Sequence, residues 1–183
     1  SQCHGMQNAD YILLLDADMV LEIDPRMSII EFKESLIKDA YYLLQGNDKF
    51  HYKNIRIVKN NGKYKYWGVT HEYVVLPDNT SAYNISKSML FIDDIGDGGA
   101  KTDKFIRDIK LLKQGLQDNP DNDRYTFYLA NSYKDSGQFQ SAIETYEKRI
   151  ELKGWKQEVW YSYYSIGLCY KELDDMKNAL YYW

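Results

Sequence analysis

Cysteine and proline are scarce in this sequence of 183 residues, which contains two cysteines and three prolines. Cys3 and Cys169 lack the spacing of a metal motif, so neither a disulfide framework nor a zinc site is predicted, and a reducing, cytoplasmic location fits best. The longest apolar run covers only residues 11–15, far short of a membrane span. Basic charge is not in excess either: 27 acidic against 23 basic residues argue against a general nucleic-acid or anionic-membrane binder.

Aromatic residues are abundant instead, and tyrosine alone occupies 18 positions. The composition changes near residue 100, where short β-type runs give way to helical periodicity. We therefore predict an α/β domain over residues 1–99, followed by an all-α domain over residues 100–183. Because the chain starts with Ser1 and ends on an apolar pattern at Trp183, we expect a fragment of a longer protein.

The first domain shows strand signals separated by turns. A continuous apolar run over residues 9–15 predicts a strand buried on both faces. Ser28 predicts the start of a helix that runs to about residue 38. The segment Asn60-Asn61-Gly62 predicts a hairpin turn, because Asn and Gly tolerate positive φ. Further strands are predicted over residues 40–45, 54–59, 64–76 and 88–93.

The second domain contains an internal repeat with an offset of 37 residues, preceded by a predicted helix over residues 102–118. The spacing resembles the tetratricopeptide repeat, whose usual period is about 34 residues and whose small residues let two antiparallel helices approach closely. Two unrelated amphipathic hairpins are the alternative explanation. The paired positions are Leu129 and Ile166, Ala130 and Gly167, Tyr133 and Tyr170, Ala142 and Ala179, and Tyr146 and Trp183.

Asp16 and Asp18 directly follow the predicted buried strand. Residues two apart in an extended chain point the same way, so these carboxylates can hold one hard divalent cation. Oxygen ligands suit Mg²⁺ or Mn²⁺, and a bound diphosphate would supply further oxygens. An acidic pair that only marks the solvated end of a strand is the alternative.

Two further segments contain candidate functional residues. Glu72 can act as a general base towards an acceptor hydroxyl, and the adjacent His71 as a metal ligand or hydrogen-bond donor. A structural histidine at a strand edge is the alternative. The glycine-rich segment 96–101 ends in Lys101 before a predicted helix, where a phosphate group is favoured. A hinge between the domains explains this segment equally well.

The order of these motifs resembles the family 2 glycosyltransferases that carry C-terminal tetratricopeptide repeats, over nearly the whole chain. The resemblance implies the C-terminal part of a GT-A domain, with Rossmann-like character, followed by the repeat. It also implies transfer of a sugar, with inversion, from a nucleotide-sugar donor such as a UDP-sugar to an unknown protein, glycan or lipid acceptor. The segments that carry it are Leu13-Leu14-Leu15-Asp16-Ala17-Asp18, Asp39-Ala40-Tyr41, Trp67-Gly68-Val69-Thr70-His71-Glu72 and Arg107-Asp108-Ile109.

The resemblance also implies roles for individual residues. Asp16 and Asp18 would contact Mn²⁺ or Mg²⁺ and the nucleotide sugar. His71 as a further metal ligand and Lys101 as a further cofactor contact follow from their own positions in the sequence and not from the resemblance. Glu72 and His71 would be the catalytic residues. Because few residues precede the strand that leads to Asp16, we expect this chain to lack most of the family's nucleotide pocket. We therefore expect the parent protein to be the enzyme and the isolated chain to be inactive.

Two other functions fit parts of the sequence. A non-catalytic tetratricopeptide interaction module, attached to a degenerate glycosyltransferase remnant, would use the repeats to bind a protein partner. A metal-dependent phosphotransferase or hydrolase would use the same carboxylates, although no phosphate-binding loop and no HExxH motif occurs in the sequence.

Overall fold

The computed structural model describes residues 8–47, 49–95 and 102–183, with side chains from residue 104 onward in the last range. The chain divides into two compact units. Unit 1 contains the described residues up to Gly68 and those from Glu72 to Ile95, whereas unit 2 contains Val69–His71 and the C-terminal helices. Among these residues, no helix combines the length and the apolar character that crossing a membrane requires.

Unit 1 is an α/β structure. Its helix α1 (Ile29–Glu34) begins after Ser28, as predicted, because the Ser28 hydroxyl accepts a hydrogen bond from the backbone amide of Glu31. The helix is shorter than predicted and ends at Glu34. The strands are β1 (Tyr11–Leu13), β2 (Met19–Ile23), β3 (Ala40–Gly46), β4 (His51–Lys59), β5 (Lys65–Trp67), β6 (Tyr73–Val75), β7 (Ala82–Asn84) and β8 (Leu90–Asp94).

Six of these strands form one mixed sheet in the order β1-β4-β3-β8-β2, with β7 also paired to β3. β3 is antiparallel to β4 and parallel to β7 and β8. Ala40 and Leu43 on β3 are fully buried, as expected for the centre of the sheet. Successive β3 residues belong to two different apolar clusters, because side chains of a strand alternate between the two faces.

The first strand corrects the prediction for residues 9–15. β1 spans only Tyr11–Leu13, pairs antiparallel with β4 and stands at the end of the strand order. Leu13 and Leu15 remain largely exposed, because a strand at the edge of a sheet receives less cover than a central one. The prediction of a strand buried on both faces is therefore wrong, and so is the Rossmann-like sheet that the family resemblance implied.

The predicted strand over residues 64–76 is also divided. Gly68 and His71 have φ values of 124° and 50°, which an extended strand excludes. The chain therefore folds into β5 and β6, which pair with each other in a separate two-stranded sheet. Gly62 has positive φ, as the predicted turn requires, but this turn connects strands of two different sheets and closes no hairpin.

Unit 2 is helical. Consecutive helices pack against each other, and Ala130, Ala142 and Ala179 are fully buried at the small positions of the repeat. The chain is therefore an α/β part followed by helices whose arrangement fits a tetratricopeptide-like repeat. The helices are α2 (Thr102–Asp118), α3 (Asp123–Asp135), α4 (Phe139–Glu151), α5 (Lys156–Glu172) and α6 (Met176–Tyr182).

Candidate interaction surface

Asp16 lies just beyond β1 and is paired with an arginine. Its Oδ2 accepts hydrogen bonds from Nη1 and Nη2 of Arg56, each at 3.2 Å. Arg56 is buried and also donates to the side chain of Gln45 and to the backbone carbonyl of Leu14. The Asp16 carboxylate, which was predicted to hold a metal cation, is therefore already paired with the guanidinium of Arg56.

The structure brings Asp16 and Glu72 together in unit 1. Both line a polar cavity of about 240 Å³, together with Arg56, Tyr66 and Tyr73. Asp16 and Glu72 are distant in sequence. The pairing of β5 with β6 fixes the chain on both sides of Glu72. The cavity contains both acidic and basic groups, which suits a small polar ligand. The cofactor-binding role of Asp16 and the catalytic role of Glu72 stay predictions.

The side chains around Asp16 and Asp18 do not form the ligand set of a metal centre. Asp18 is half-buried, and its backbone carbonyl accepts a hydrogen bond from the amide of Ile95. Within the described ranges, no three His, Cys, Asp or Glu side chains form a group that could hold a metal ion. The guanidinium of Arg56 beside Asp16 further disfavours a cation there. The prediction of a metal-binding D-x-D motif is therefore wrong.

His71 belongs to unit 2, whereas Asp16, Asp18 and Glu72 belong to unit 1. Its imidazole stacks on the ring of Tyr128, with centroids 4.0 Å apart and planes at 10°. Burial is the main cause that lowers the pKa of His71. Asp108 acts against this shift, and Lys104 and Arg124 add to it. The stacking of the imidazole on Tyr128 points to a packing role.

The rest of the segment Val69–His71 is held by polar contacts to the helices of unit 2. The hydroxyl of Thr70 donates to Oδ1 of the buried Asp108 at 3.2 Å, and Nη2 of Arg124 donates to the backbone carbonyl of His71 at 3.0 Å. These bonds explain why the segment groups with the helices. The predicted cofactor contact Lys101 lies outside the described residues, as does Cys3.

Unit 2 also has a cluster of exposed aromatic side chains, of which the sequence analysis named only Trp183, as a position of the repeat. Trp160 and Tyr164 stack one helical turn apart on α5, with centroids 5.8 Å apart and planes at 2°. Trp183 lies 6.4 Å from Tyr164 and donates from Nε1 to the backbone carbonyl of Tyr164 at 3.2 Å. We call Trp160, Tyr164 and Trp183 the aromatic row; their exposed fractions are 65, 41 and 51 %.

The position of the aromatic row depends on a glycine of the repeat. A Cβ atom at Gly167 would lie 2.3 Å from Nε1 of Trp183, so only glycine leaves room for the indole. The four-residue spacing of Trp160 and Tyr164 was the available sequence signal, because residues four apart share one face of a helix. Periodicity alone does not tell whether such a face is buried or exposed.

No protein-family model matches the chain, and no curated protein matches it. Two solved structures of MamA are 27% identical to it with TM-scores of 0.41, covering 48% of this chain and 50% or 46% of their own. A third, described as MamA AMB-1, is 20% identical with a TM-score of 0.40, over 48% of this chain and 46% of its own. The chain thus spans about half the length of these structures.

The sheet topology overturns the resemblance to family 2 glycosyltransferases. The strand that leads to Asp16 lies at the edge of a mixed sheet and pairs antiparallel with β4, and it is not a buried strand of a Rossmann-like sheet. The prediction of a glycosyltransferase with a GT-A domain is therefore wrong. Enzymatic activity of the parent protein, its cofactors and a cytoplasmic location are untested and stay predictions.

Proposed function

We propose that this chain is a protein-interaction module whose helical unit binds a partner through the aromatic row. The observation that carries the proposal is the contact of three large, solvent-exposed aromatic side chains on one surface. Aromatic residues are enriched at the centres of protein interfaces and are frequent binding hot spots. The helices behind the row have their own buried core, so the surface is presented on a rigid support.

The energetic gain available at this surface is large. An aromatic side chain buries 150–250 Å² in a core, so covering the exposed half of one ring contributes about 2–3 kcal/mol. The aromatic rings also keep few rotatable bonds, so little side-chain entropy is lost on binding. Such a row therefore supports a protein partner better than a small polar ligand.

Selection of displayed peptides against the full chain tests this function. We expect enriched peptides to bind the wild type and to lose at least tenfold in affinity with Trp160→Ala, because about 2 kcal/mol corresponds to more than a factor of ten. Tyr83→Ala is a matched control, since Tyr83 is an exposed tyrosine of unit 1. Failure to enrich any peptide, or binding that Trp160→Ala leaves unchanged, would reject the proposal.

A second function is proposed for the cavity that Asp16, Arg56 and Glu72 line, namely an enzymatic site for a small polar substrate in the parent protein. Its support is the placement of both acidic residues on one cavity beside a buried arginine. Thermal shifts of the full chain with nucleotide sugars provide the test. A ligand at about 100 times its Kd should stabilise the wild type by about 2.7 kcal/mol, and Glu72→Gln markedly less. The absence of any ligand that distinguishes the two proteins would reject this function.

A further inference from the structure

The turn between β4 and β5 places an asparagine directly before a glycine, at Asn61 and Gly62. Both residues are exposed to solvent. The amide carbon of the Asn61 side chain, Cγ, is an electrophile, and the backbone nitrogen of Gly62 is the nucleophile that follows it directly along the chain. Attack of this nitrogen on Cγ closes a cyclic imide. The turn therefore contains both reacting groups of an intramolecular reaction.

The side chain of Asn61 is held and polarised by the backbone of its own turn. Its Oδ1 accepts a hydrogen bond from the amide of Lys63 at 3.1 Å, which is the contact of an Asx turn. The ring of atoms that this bond closes includes the backbone nitrogen of Gly62. The same N–H group stabilises the negative charge that develops on Oδ1 when a nucleophile adds to Cγ. The contact therefore favours attack at this carbon.

The backbone amide of Gly62 is available for this reaction. Within the described part of the chain, no group accepts a hydrogen bond from it. Gly62 has a φ of 71°, and a Cβ atom placed there would meet no other atom within 4 Å. Because glycine has no side chain and the surrounding space is open, the nitrogen can approach Cγ without a steric clash.

The amides that follow several other asparagines are engaged instead. Asn60 in the same turn is the nearest comparison, because the amide of Asn61 donates to the backbone carbonyl of Lys59 at 2.9 Å. Asn119 precedes Pro120, which has no N–H group. The nucleophilic nitrogen is therefore free at Asn61 and not at these positions. Engaged amides also follow Asn79, Asn84 and Asn178, namely those of Thr80, Ile85 and Ala179.

We propose that Asn61 is a modification site, at which the folded chain deamidates spontaneously. The backbone nitrogen of Gly62 loses its proton to a solvent base and forms a bond to Cγ of Asn61, while the C–N bond of the side-chain amide breaks. The departing nitrogen takes up a proton and leaves as ammonia. Water then opens the cyclic imide. Opening at Cγ gives aspartate, whereas opening at the backbone carbonyl carbon gives isoaspartate.

The products change both the charge and the backbone of the turn. A carboxylate replaces a neutral amide in a segment that also contains Lys59, Lys63 and Lys65. Isoaspartate in addition lengthens the main chain by a methylene group between β4 and β5. Isoelectric focusing therefore separates modified from unmodified molecules, because each conversion makes the chain more negative.

The experiment incubates the full chain at mildly alkaline pH and follows each asparagine with time by peptide mapping and mass spectrometry. We expect Asn61 to convert at least about tenfold faster than Asn60, which corresponds to a barrier lower by about 1.4 kcal/mol. Gly62→Ala should slow the conversion of Asn61 by a similar factor, because the added methyl group hinders the approach of the nitrogen. Gly137→Ala is the matched control, since Gly137 also has positive φ and open space but follows a serine. It should leave the conversion of Asn61 unchanged, and circular dichroism confirms that each variant is folded.

The same chain unfolded in urea separates the effect of the turn from that of the dipeptide. We expect the folded chain to convert Asn61 at least as fast as the unfolded chain, because the native turn leaves the Gly62 amide free and polarises Oδ1 of Asn61. Conversion that is about tenfold slower in the folded chain would show that the turn protects the site, and the proposal would fail. It would fail equally if Asn60 and Asn61 converted at the same rate, or if Gly62→Ala had no effect.

Discussion

Substitution of Arg149 by methionine removes the buried ion pair that joins α4 to α5. Arg149 is fully buried, and its Nε and Nη2 donate to Oε2 of Glu158 at 3.2 and 2.9 Å. Nη1 donates to the backbone carbonyl of Lys153, and Nη2 lies 3.5 Å from Oδ2 of Asp123. One side chain therefore holds together α3, α4, α5 and the loop between the last two.

The expected loss is large because a charge remains behind. Methionine fills most of the arginine volume but leaves the buried carboxylate of Glu158 without its cation. Removing one partner of a buried ion pair costs about 3–5 kcal/mol, whereas replacing both by apolar residues is often nearly neutral. We therefore expect Arg149→Met to lower the free energy of unfolding by about 3–5 kcal/mol. The double variant Arg149→Met with Glu158→Leu should recover at least half of that loss.

Urea unfolding followed by circular dichroism at the helical band measures these differences. Arg26→Met is a matched control, because Arg26 forms an equally short ion pair of 2.9 Å with Asp24 on the surface. Exposed pairs contribute at most about 1 kcal/mol, so this variant should stay near the wild type. A loss below about 1 kcal/mol for Arg149→Met would refute the reasoning. The single variant Glu158→Leu completes the comparison. If the double variant loses as much stability as the two single variants together, the reasoning is refuted as well.

Two further predictions concern backbone strain and pH. Gly154→Ala should destabilise the chain by at least 1 kcal/mol more than Gly137→Ala in the same urea assay. Both glycines have positive φ, of 81° and 76°, but only at Gly154 would a Cβ atom lie 2.5 Å from Oδ2 of Asp123. Equal losses would show that Asp123 moves aside freely. Burial lowers the pKa of His71 below 6.5, so the unfolded chain takes up a proton more readily than the folded one. The free energy of unfolding should therefore fall as the pH drops below about 6.5. His71→Phe, which keeps a ring against Tyr128, should show a weaker fall between about pH 7.5 and pH 5; the same fall in both proteins would contradict this.

The sequence correctly predicted those helices and strands that depend mainly on neighbouring residues. The start of α1 at Ser28 follows from a side-chain cap three residues from its target, and α2 follows from helical periodicity over residues 102–118. The apolar run at residues 40–45 became the central strand β3. β1 failed because an apolar run of the same kind does not state how many neighbours the strand will have. The strand over residues 64–76 failed because His71, a non-glycine residue, adopts positive φ.

The candidate site was harder to predict than the fold. Asp16 and Glu72 were singled out separately, and only the structure places them on one cavity beside Arg56. The adjacency of His71 and Glu72 suggested a common site, yet Val69–His71 belongs to the helical unit and Glu72 does not. The order of motifs along a chain does not show which of them fold into the same unit.

The sequence by itself determined the α/β-then-helical order and the offset of 37 residues, because helix and strand formation depend largely on neighbouring residues. Its repeat also defined which aromatic positions are equivalent. Only the tertiary structure decided that Tyr146 is buried while Trp183 is exposed. It likewise decided that Asp16 faces an arginine and not an open ligand site. Burial and charge pairing depend on residues that are distant along the chain, and these contacts exist only once the chain has folded.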